Sequence, residues 1–306
     1  MPNVHRTTNK RNMMNIKEIK AICKQHHIVP LRRRGQNFLI NPKVIKRIID
    51  IAEINKEDVI LEIGPGLGAL TKPIANKCEK VIAIEIDKKL VQILKEQLGD
   101  YKNIEIIKDS ILDGISDLNL GVKKYKVISN LPFNITGRIL RILLEQKDKP
   151  ELIIVVVQKE VAQRIVAQPP NMSILSLAIQ FYSQVDAVFN INKSNFWPQP
   201  RVDSTVLKII PNKFRIKKEV ENNFFQLIKA GFSSKRKYLL NNLFKNVIII
   251  NDNDSKEKKQ MLIKIFKKVG LNEKIRAQEL SLERWTQLAN IIGALEREKE
   301  ERHDNQ

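Results

Sequence analysis

What most constrains this chain is an alternation that begins near residue 58. "DVILEI" (58–63), "KVIAIEID" (80–87), "NIEIIKD" (103–109), "YKVISN" (125–130) and "ELIIVVVQ" (151–158) are short apolar runs. Helix-compatible stretches such as "ALTKPIANKC" and "KKLVQILKEQLG" separate the first of them. Apolar runs of this length alternating with helical patterns build βαβ units, whose parallel strands are buried on both faces. The expected fold class is therefore α/β, with a Rossmann-like sheet. "DAVFNI" and "DSTVLKII" follow later, joined by the Pro-bearing loop "NKSNFWPQPRV" and by no crossover helix. They predict an antiparallel edge. After Pro211 the pattern becomes helical, in "VENNFFQLIKAGF", "SSKRKYLLNNLF", "KEKKQMLIKIFKKVG" and "SLERWTQLANIIGALE". Two domains are predicted, a sheet domain over 1–210 with a basic N-terminal extension and an all-helical domain over 211–306.

Charge is distributed unevenly. Residues 1–40 hold nine basic residues and one acidic, and residues 211–306 hold 21 and 13, within a net charge of +20. Between them the balance is nearly even. Positive charge gathered at both ends attracts a polyphosphate through counterion release. The two cysteines, Cys23 and Cys78, argue against a disulfide scaffold, and neither they nor the four histidines have metal-ligand spacing, so no metal is expected. No apolar run is long enough to span a bilayer and no signal-peptide core opens the chain. The first 17 residues lack acids, as a mitochondrial presequence does; they read better as the frayed tail of a cytoplasmic protein.

The first apolar run ends in "GPGLG", placing Gly64, Gly66 and Gly68 at a strand-to-helix turn. Glycines there let the backbone approach a ligand closely. Glu85 ends the next run and can accept ribose hydroxyls; Asp109 ends the third and can accept from an adenine amine. A dinucleotide fits less well than S-adenosylmethionine: the loop reads GxGxG rather than GxGxxG, and the donor's zwitterionic end needs no pyrophosphate site. "SNLPF" ends the fourth run. Asn130 offers a side-chain oxygen, Pro132 turns the chain so that the Leu131 carbonyl leaves the sheet, and Phe133 offers a flat face to a base. Two acceptors aimed at an adenine N6 amine orient it and localise its lone pair for methyl transfer.

Together these motifs resemble the KsgA/RsmA-type 16S ribosomal RNA adenine N6,N6-dimethyltransferases, from about residue 16 to 292. "GQNFL" (35–39), "EIGPGLGALT" (62–71), "VIAIEID" (81–87), "NLPFNIT" (130–136) and "VQKEVAQRI" (157–165) carry the resemblance, with "FWPQPRVDS" (196–204), "AGFSSKRKYLLNNL" (230–243) and "RAQELSLERWTQLAN" (276–290). It implies dimethylation of two neighbouring adenosines in the 3′ hairpin of small-subunit rRNA, and a late role in 30S assembly. It implies that Asn37, Leu39, Gly64, Glu85, Asp109 and Asn130 contact S-adenosylmethionine. Asn130, Leu131, Pro132 and Phe133 then form the catalytic segment. Arg32, Arg33 and Arg34, with Lys235, Arg236 and Lys237, are expected to hold rRNA phosphates. A cytoplasmic monomer acting on 16S rRNA or the immature 30S subunit, away from membranes, is the corresponding expectation. The family often has Gly and Tyr where this chain has Ser129 and Phe133, and "AQPPNMS" lacks its usual Tyr-Gly. Two alternatives stay open: an Erm-type 23S rRNA methyltransferase, and an assembly factor or mitochondrial transcription-factor relative that binds rRNA more than it methylates it.

Overall fold

The computed structural model describes residues 16–30, 35–113, 124–214, 216–246 and 255–304. The chain divides into two compact units. One takes residues up to Ala162 together with Val185–Pro211; the other takes Gln163–Gln184 together with Asn212 onward.

In the first unit the apolar runs become strands. A short α1 (Ile16–Gln25) and β1 (Phe38–Leu39) precede α2 (Pro42–Ile51). Then come β2 (Val59–Ile63), α3 (Thr71–Ala75), β3 (Lys80–Glu85), α4 (Lys88–Leu98), β4 (Ile104–Lys108), β5 (Lys126–Asn130), α5 (Thr136–Glu145), β6 (Leu152–Gln158) and α6 (Lys159–Ile165). After α7 (Ile174–Tyr182), which lies in the second unit, come β7 (Ser183–Ile191), β8 (Phe196–Trp197) and β9 (Ser204–Pro211). The main sheet runs β4-β3-β2-β5-β6-β9-β7. The pairs from β4 through β6 are parallel, and β9 runs antiparallel to β6, so the sheet carries an antiparallel edge. β1 and β8 form a separate antiparallel pair.

Strand side chains alternate between faces. Ile60, Val81, Ala83, Ile128, Ile154 and Val156 meet Ile45, Ile48 and Ile49 of α2 and Leu70 and Ile74 at α3 in one buried cluster. α4 packs against β3 and β4. The strand order reverses direction of growth between β2 and β5, so the C-terminal ends of β2, β3, β4 and β5 converge around a crevice, the usual ligand position in an open α/β sheet. α3 is only five residues long, shorter than the stretch read as helical.

The second unit differs from the predicted 211–306 boundary by gaining Gln163–Gln184. The reason is aromatic packing. Phe181 of α7 stacks on Phe224, with centroids 4.1 Å apart, and meets Phe225 edge-on at 5.7 Å. Both partners lie on α8 (Lys218–Gly231). α9 (Leu239–Asn246), α10 (Ser255–Val269) and α11 (Leu282–Asp304) complete the unit. α11 packs on α8 around Trp285, which is fully buried and donates its indole N–H to the Ala277 carbonyl at 3.3 Å. A Cβ on Gly231 would stand 2.3 Å from that ring, so only glycine fits there. Helix is predicted over "SSKRKYLLNNLF" but begins only at Leu239. The preceding turn is pinned instead by Asn242, whose Nδ2 donates to the Gly231 and Ser234 carbonyls (2.6 and 2.9 Å).

Candidate active site

A cavity of about 330 Å³ opens at the converging strand ends of the first unit. Its floor is the glycine turn. Gly64, Gly66 and Gly68 all have positive φ (66°, 62° and 81°), a region costly for other residues. A Cβ on Gly66 would lie 2.9 Å from the Phe38 ring, so the turn depends on glycine for space as well as for conformation. Gly64 N–H donates to the Ile84 carbonyl (2.8 Å) and Gly68 N–H to the Pro65 carbonyl (2.9 Å), locking the loop to β3 and to itself.

Glu85 ends β3 inside this cavity and is 6% exposed. Its Oε2 accepts from Gly66 N–H (3.2 Å) and its Oε1 from Asp87 N–H (2.9 Å). Burial pushes its carboxyl above the ordinary value, and those two N–H groups hold the shift back. Asp109, just past β4, lines the same cavity but is exposed; its Oδ1 accepts from Ser110 N–H at 2.7 Å.

Asn130 closes β5 and is held differently. Its Nδ2 donates to the Asn37 carbonyl at 2.8 Å, fixing the amide plane. Its Oδ1 is buried without a hydrogen-bond partner. Ser129 beneath it is fully buried, with its hydroxyl on the Ile63 carbonyl, which ties β5 to β2 at the cavity floor. Pro132 lines the cavity. Gly35 has φ 65°, and a Cβ there would stand 2.9 Å from Phe133 N, so glycine lets the "GQNFL" segment lie directly against "NLPF".

Of the expected site residues, Asn37, Leu39, Gly64, Glu85, Asp109, Asn130 and Pro132 all line this one cavity. Leu131 and Phe133 do not. The Leu131 side chain is buried and its N–H donates to the Val156 carbonyl (3.2 Å), while Phe133 is half-buried. Lys235, Arg236 and Lys237 lie in the second unit, exposed on the pinned turn before α9, with no ion pair among the described residues. Arg32, Arg33 and Arg34 lie outside the described residues.

Residues 31–293 match the family model described as ribosomal RNA adenine dimethylase. The chain belongs to the ribosomal RNA adenine dimethylase family. Among curated relatives it is 37% identical over 266 residues to ribosomal RNA small subunit methyltransferase A of Bacillus cytotoxicus, covering 84% of this chain and 89% of that one. The Bacillus pumilus protein of the same name is 36% identical over 281 residues, covering 89% and 94%. Among solved structures, a dimethyladenosine transferase from Plasmodium falciparum superposes with a TM-score of 0.72 at 24% identity, covering 84% and 98%. The 23S rRNA methyltransferase ErmE superposes with a TM-score of 0.66 at 22% identity, covering 84% and 99%. The fold is thus the Rossmann-like methyltransferase fold.

In this dimethylase-family site one residue escaped the sequence reading. Glu62, inside "VILEI" of β2, lines the cavity at 1% exposure, with Oε2 buried and unpartnered. Burial pushes its carboxyl up to about 8. Thr71 opposes that shift without closing a hydrogen bond of normal geometry, and the Glu85 charge adds to it. The available signal was an acid inside an otherwise apolar strand, directly before the glycine turn.

Proposed function

We propose that this protein transfers methyl groups from S-adenosylmethionine to the N6 of two adjacent adenosines in the 3′-terminal hairpin of 16S rRNA, giving dimethyladenosines late in 30S subunit assembly. The observation that carries the reading is the buried, unpartnered Oδ1 of Asn130 in a cavity built for an adenosyl ligand. Buried polar atoms are almost always paired, so one left over at a strand end is set for a donor that arrives with a ligand. An exocyclic amine is such a donor. The family and its curated relatives, named for small-subunit rRNA methylation, support the same substrate.

The residues present fit the methyl donor. Glu85 retains lone pairs beyond those given to Gly66 and Asp87, and receives the ribose hydroxyls. Asp109 takes the adenine amine, and Asn37, Leu39 and Gly64 offer backbone groups around the amino-acid end. Glu62, with one oxygen unpartnered, receives the ammonium of that end. When bound, the donor supplies an electrophilic methyl carried on a sulfonium.

On the substrate side, Asn130 Oδ1 accepts one N6 hydrogen and the Leu131 carbonyl the other, which turns the nitrogen lone pair toward the incoming methyl. Phe133 stacks on the extruded base. Transfer of the methyl from sulfur to N6 would leave positive charge on N6, and the proton would then be lost to water. Positioning does the work and no strong base is needed. Arg32, Arg33, Arg34, Lys235, Arg236 and Lys237 hold rRNA phosphates, and the enzyme acts as a cytoplasmic monomer on the immature subunit. The test is a methyl-transfer assay on unmethylated 30S subunits and on 50S subunits, followed by mass spectrometry of the modified fragments. Two dimethyladenosines confined to the 16S 3′ hairpin are expected. Label in 23S rRNA, or none in either, would refute the reading.

A further inference from the structure

A second groove opens off the donor cavity, and Gln36, Ile86 and Leu90 line both. His27, Lys88, Lys89 and Lys108 converge on it from three separate segments of the first unit. All four are exposed, and none makes an ion pair with another described residue. Asp87, the one acid in the lining, is engaged as the N-cap of α4, its Oδ1 accepting from Lys89 N–H at 3.0 Å. Some other lysines of this unit are paired, Lys46 and Lys77 with Asp50, Lys80 with Glu105 (2.7 Å) and Lys126 with Asp58 (2.8 Å).

The placement of Lys88 and Lys89 works against the helix that carries them. They occupy the first turn of α4, which holds no acidic residue, where the helix dipole and the unsatisfied N–H groups disfavour cations. Residues three and four positions on are Val91, Gln92 and Ile93, so no intrahelical carboxylate compensates. Among the described residues lining the groove, Asp87 at the N-cap is the one carboxylate beside these two cations. An anion at the groove reverses the sign, because the helix N-terminus and the lysines then act together. Val29 and Ile86, 78% and 62% exposed, add apolar surface beside the cations. Cations alternating with apolar surface suit a sugar–phosphate strand better than a free inorganic anion.

We propose that this groove, formed by His27, Lys88, Lys89 and Lys108, binds the sugar–phosphate backbone of the substrate RNA outside the reacting nucleotide. The inference rests on the rRNA substrate proposed above. It adds an RNA-binding surface on the catalytic unit, beside the adenosyl pocket, separate from the basic turn before α9.

The experiment compares three proteins: wild type, Lys88→Gln/Lys89→Gln/Lys108→Gln, and the charge-matched control Lys46→Gln/Lys77→Gln/Lys80→Gln. Binding to unmethylated 30S subunits is measured across a salt series, with S-adenosylhomocysteine affinity and methyl transfer measured on the same samples. Each phosphate contact contributes about 0.7 to 0.9 to the log–log salt slope, so three lost contacts should lower it by roughly 2 to 3, with affinity down about tenfold or more at low salt. S-adenosylhomocysteine affinity should stay within about twofold of wild type, and the control should change the slope by less than about one contact's worth. If the groove variant matches the control, or if only its S-adenosylhomocysteine affinity falls, the groove does not bind RNA. A wild type that neither binds nor methylates the subunit would overturn the rRNA reading itself, and the groove with it.

Discussion

Two strand ends line the same cavity and are finished in opposite ways. At the end of β3, Glu85 has both carboxylate oxygens engaged by the chain itself, through Gly66 and Asp87 N–H. At the end of β5, Asn130 has its amide nitrogen engaged by the Asn37 carbonyl and its oxygen left without a partner. Glu85 therefore serves two purposes: it holds the glycine turn in shape, and its remaining lone pairs serve a ligand. Asn130 is oriented by one half of its amide so that the other half stays free. The difference separates a group that builds the pocket from a group that acts in it. Mutations at the two ends should then fail in different ways.

The largest effect is expected at Asn130. Asn130→Ala removes one preorganised acceptor, and such losses typically cost about 10² to 10³ in rate. Single-turnover methyl transfer should fall by that order, with smaller losses in S-adenosylhomocysteine affinity and melting temperature from the freed Asn37 carbonyl. Glu85→Ala should show the reverse weighting. A hydrogen bond to a charged group is worth about 1.5 to 3 kcal/mol, so donor affinity should drop tenfold or more by calorimetry. Melting temperature should also fall, because Gly66 and Asp87 lose their acceptor. If both variants lost rate and affinity in the same proportion, the distinction between the two strand ends would collapse.

Phe133 sharpens the picture on the β5 side. It is half-buried and lies beside the cavity lining rather than in it. As a stacking platform its loss should cost about 1 to 3 kcal/mol in holding the base. Phe133→Ala should therefore slow single-turnover transfer with donor affinity nearly unchanged, and Phe133→Tyr should be mild. A badly destabilised Ala variant with a normal rate per folded molecule would make Phe133 a core residue instead.

Glu62 of β2 offers a pH test. Its folded-state value is about 8 against an ordinary 4.5, so the fold favours the protonated form. The corresponding stability is fully present below about pH 4.5 and is lost as pH rises through about 8. Denaturant midpoints of the ligand-free protein should decline over that window, and Glu62→Gln should flatten the decline. If Glu62 receives the donor's ammonium, binding near neutral pH should also release a proton. Calorimetry in two buffers of different ionisation enthalpy detects it, and the release should vanish in Glu62→Gln.

The parts of this cavity that could be read in the sequence are those tied to strand ends. Gly64, Glu85, Asp109 and Asn130 each follow an apolar run long enough to be recognised as a buried strand, and a parallel sheet brings such ends to one edge. Glu62 was not legible, because one acid in "VILEI" reads as strand alternation; only the sheet, with β2 flanked by β3 and β5, buries it on both faces. Residues 163–184 were assigned to the sheet domain because "ILSLAIQFY" carries no sign of its partner. Phe181 meets Phe224 and Phe225 more than forty positions away, a pairing that periodicity cannot encode. The turn at "SSKRKY" was misread for a similar reason, since its shape comes from the Asn242 side chain rather than from its own residues.

The most direct test of the role given to Asn130 is a crystal structure of the protein with S-adenosylhomocysteine and an RNA fragment carrying the target adenosine. The expected result places N6 within about 2.7 to 3.2 Å of Asn130 Oδ1, in line for a hydrogen bond, with the Nδ2 bond to Asn37 retained. An Oδ1 occupied by water or by the donor, with N6 more than about 3.5 Å away, would contradict it.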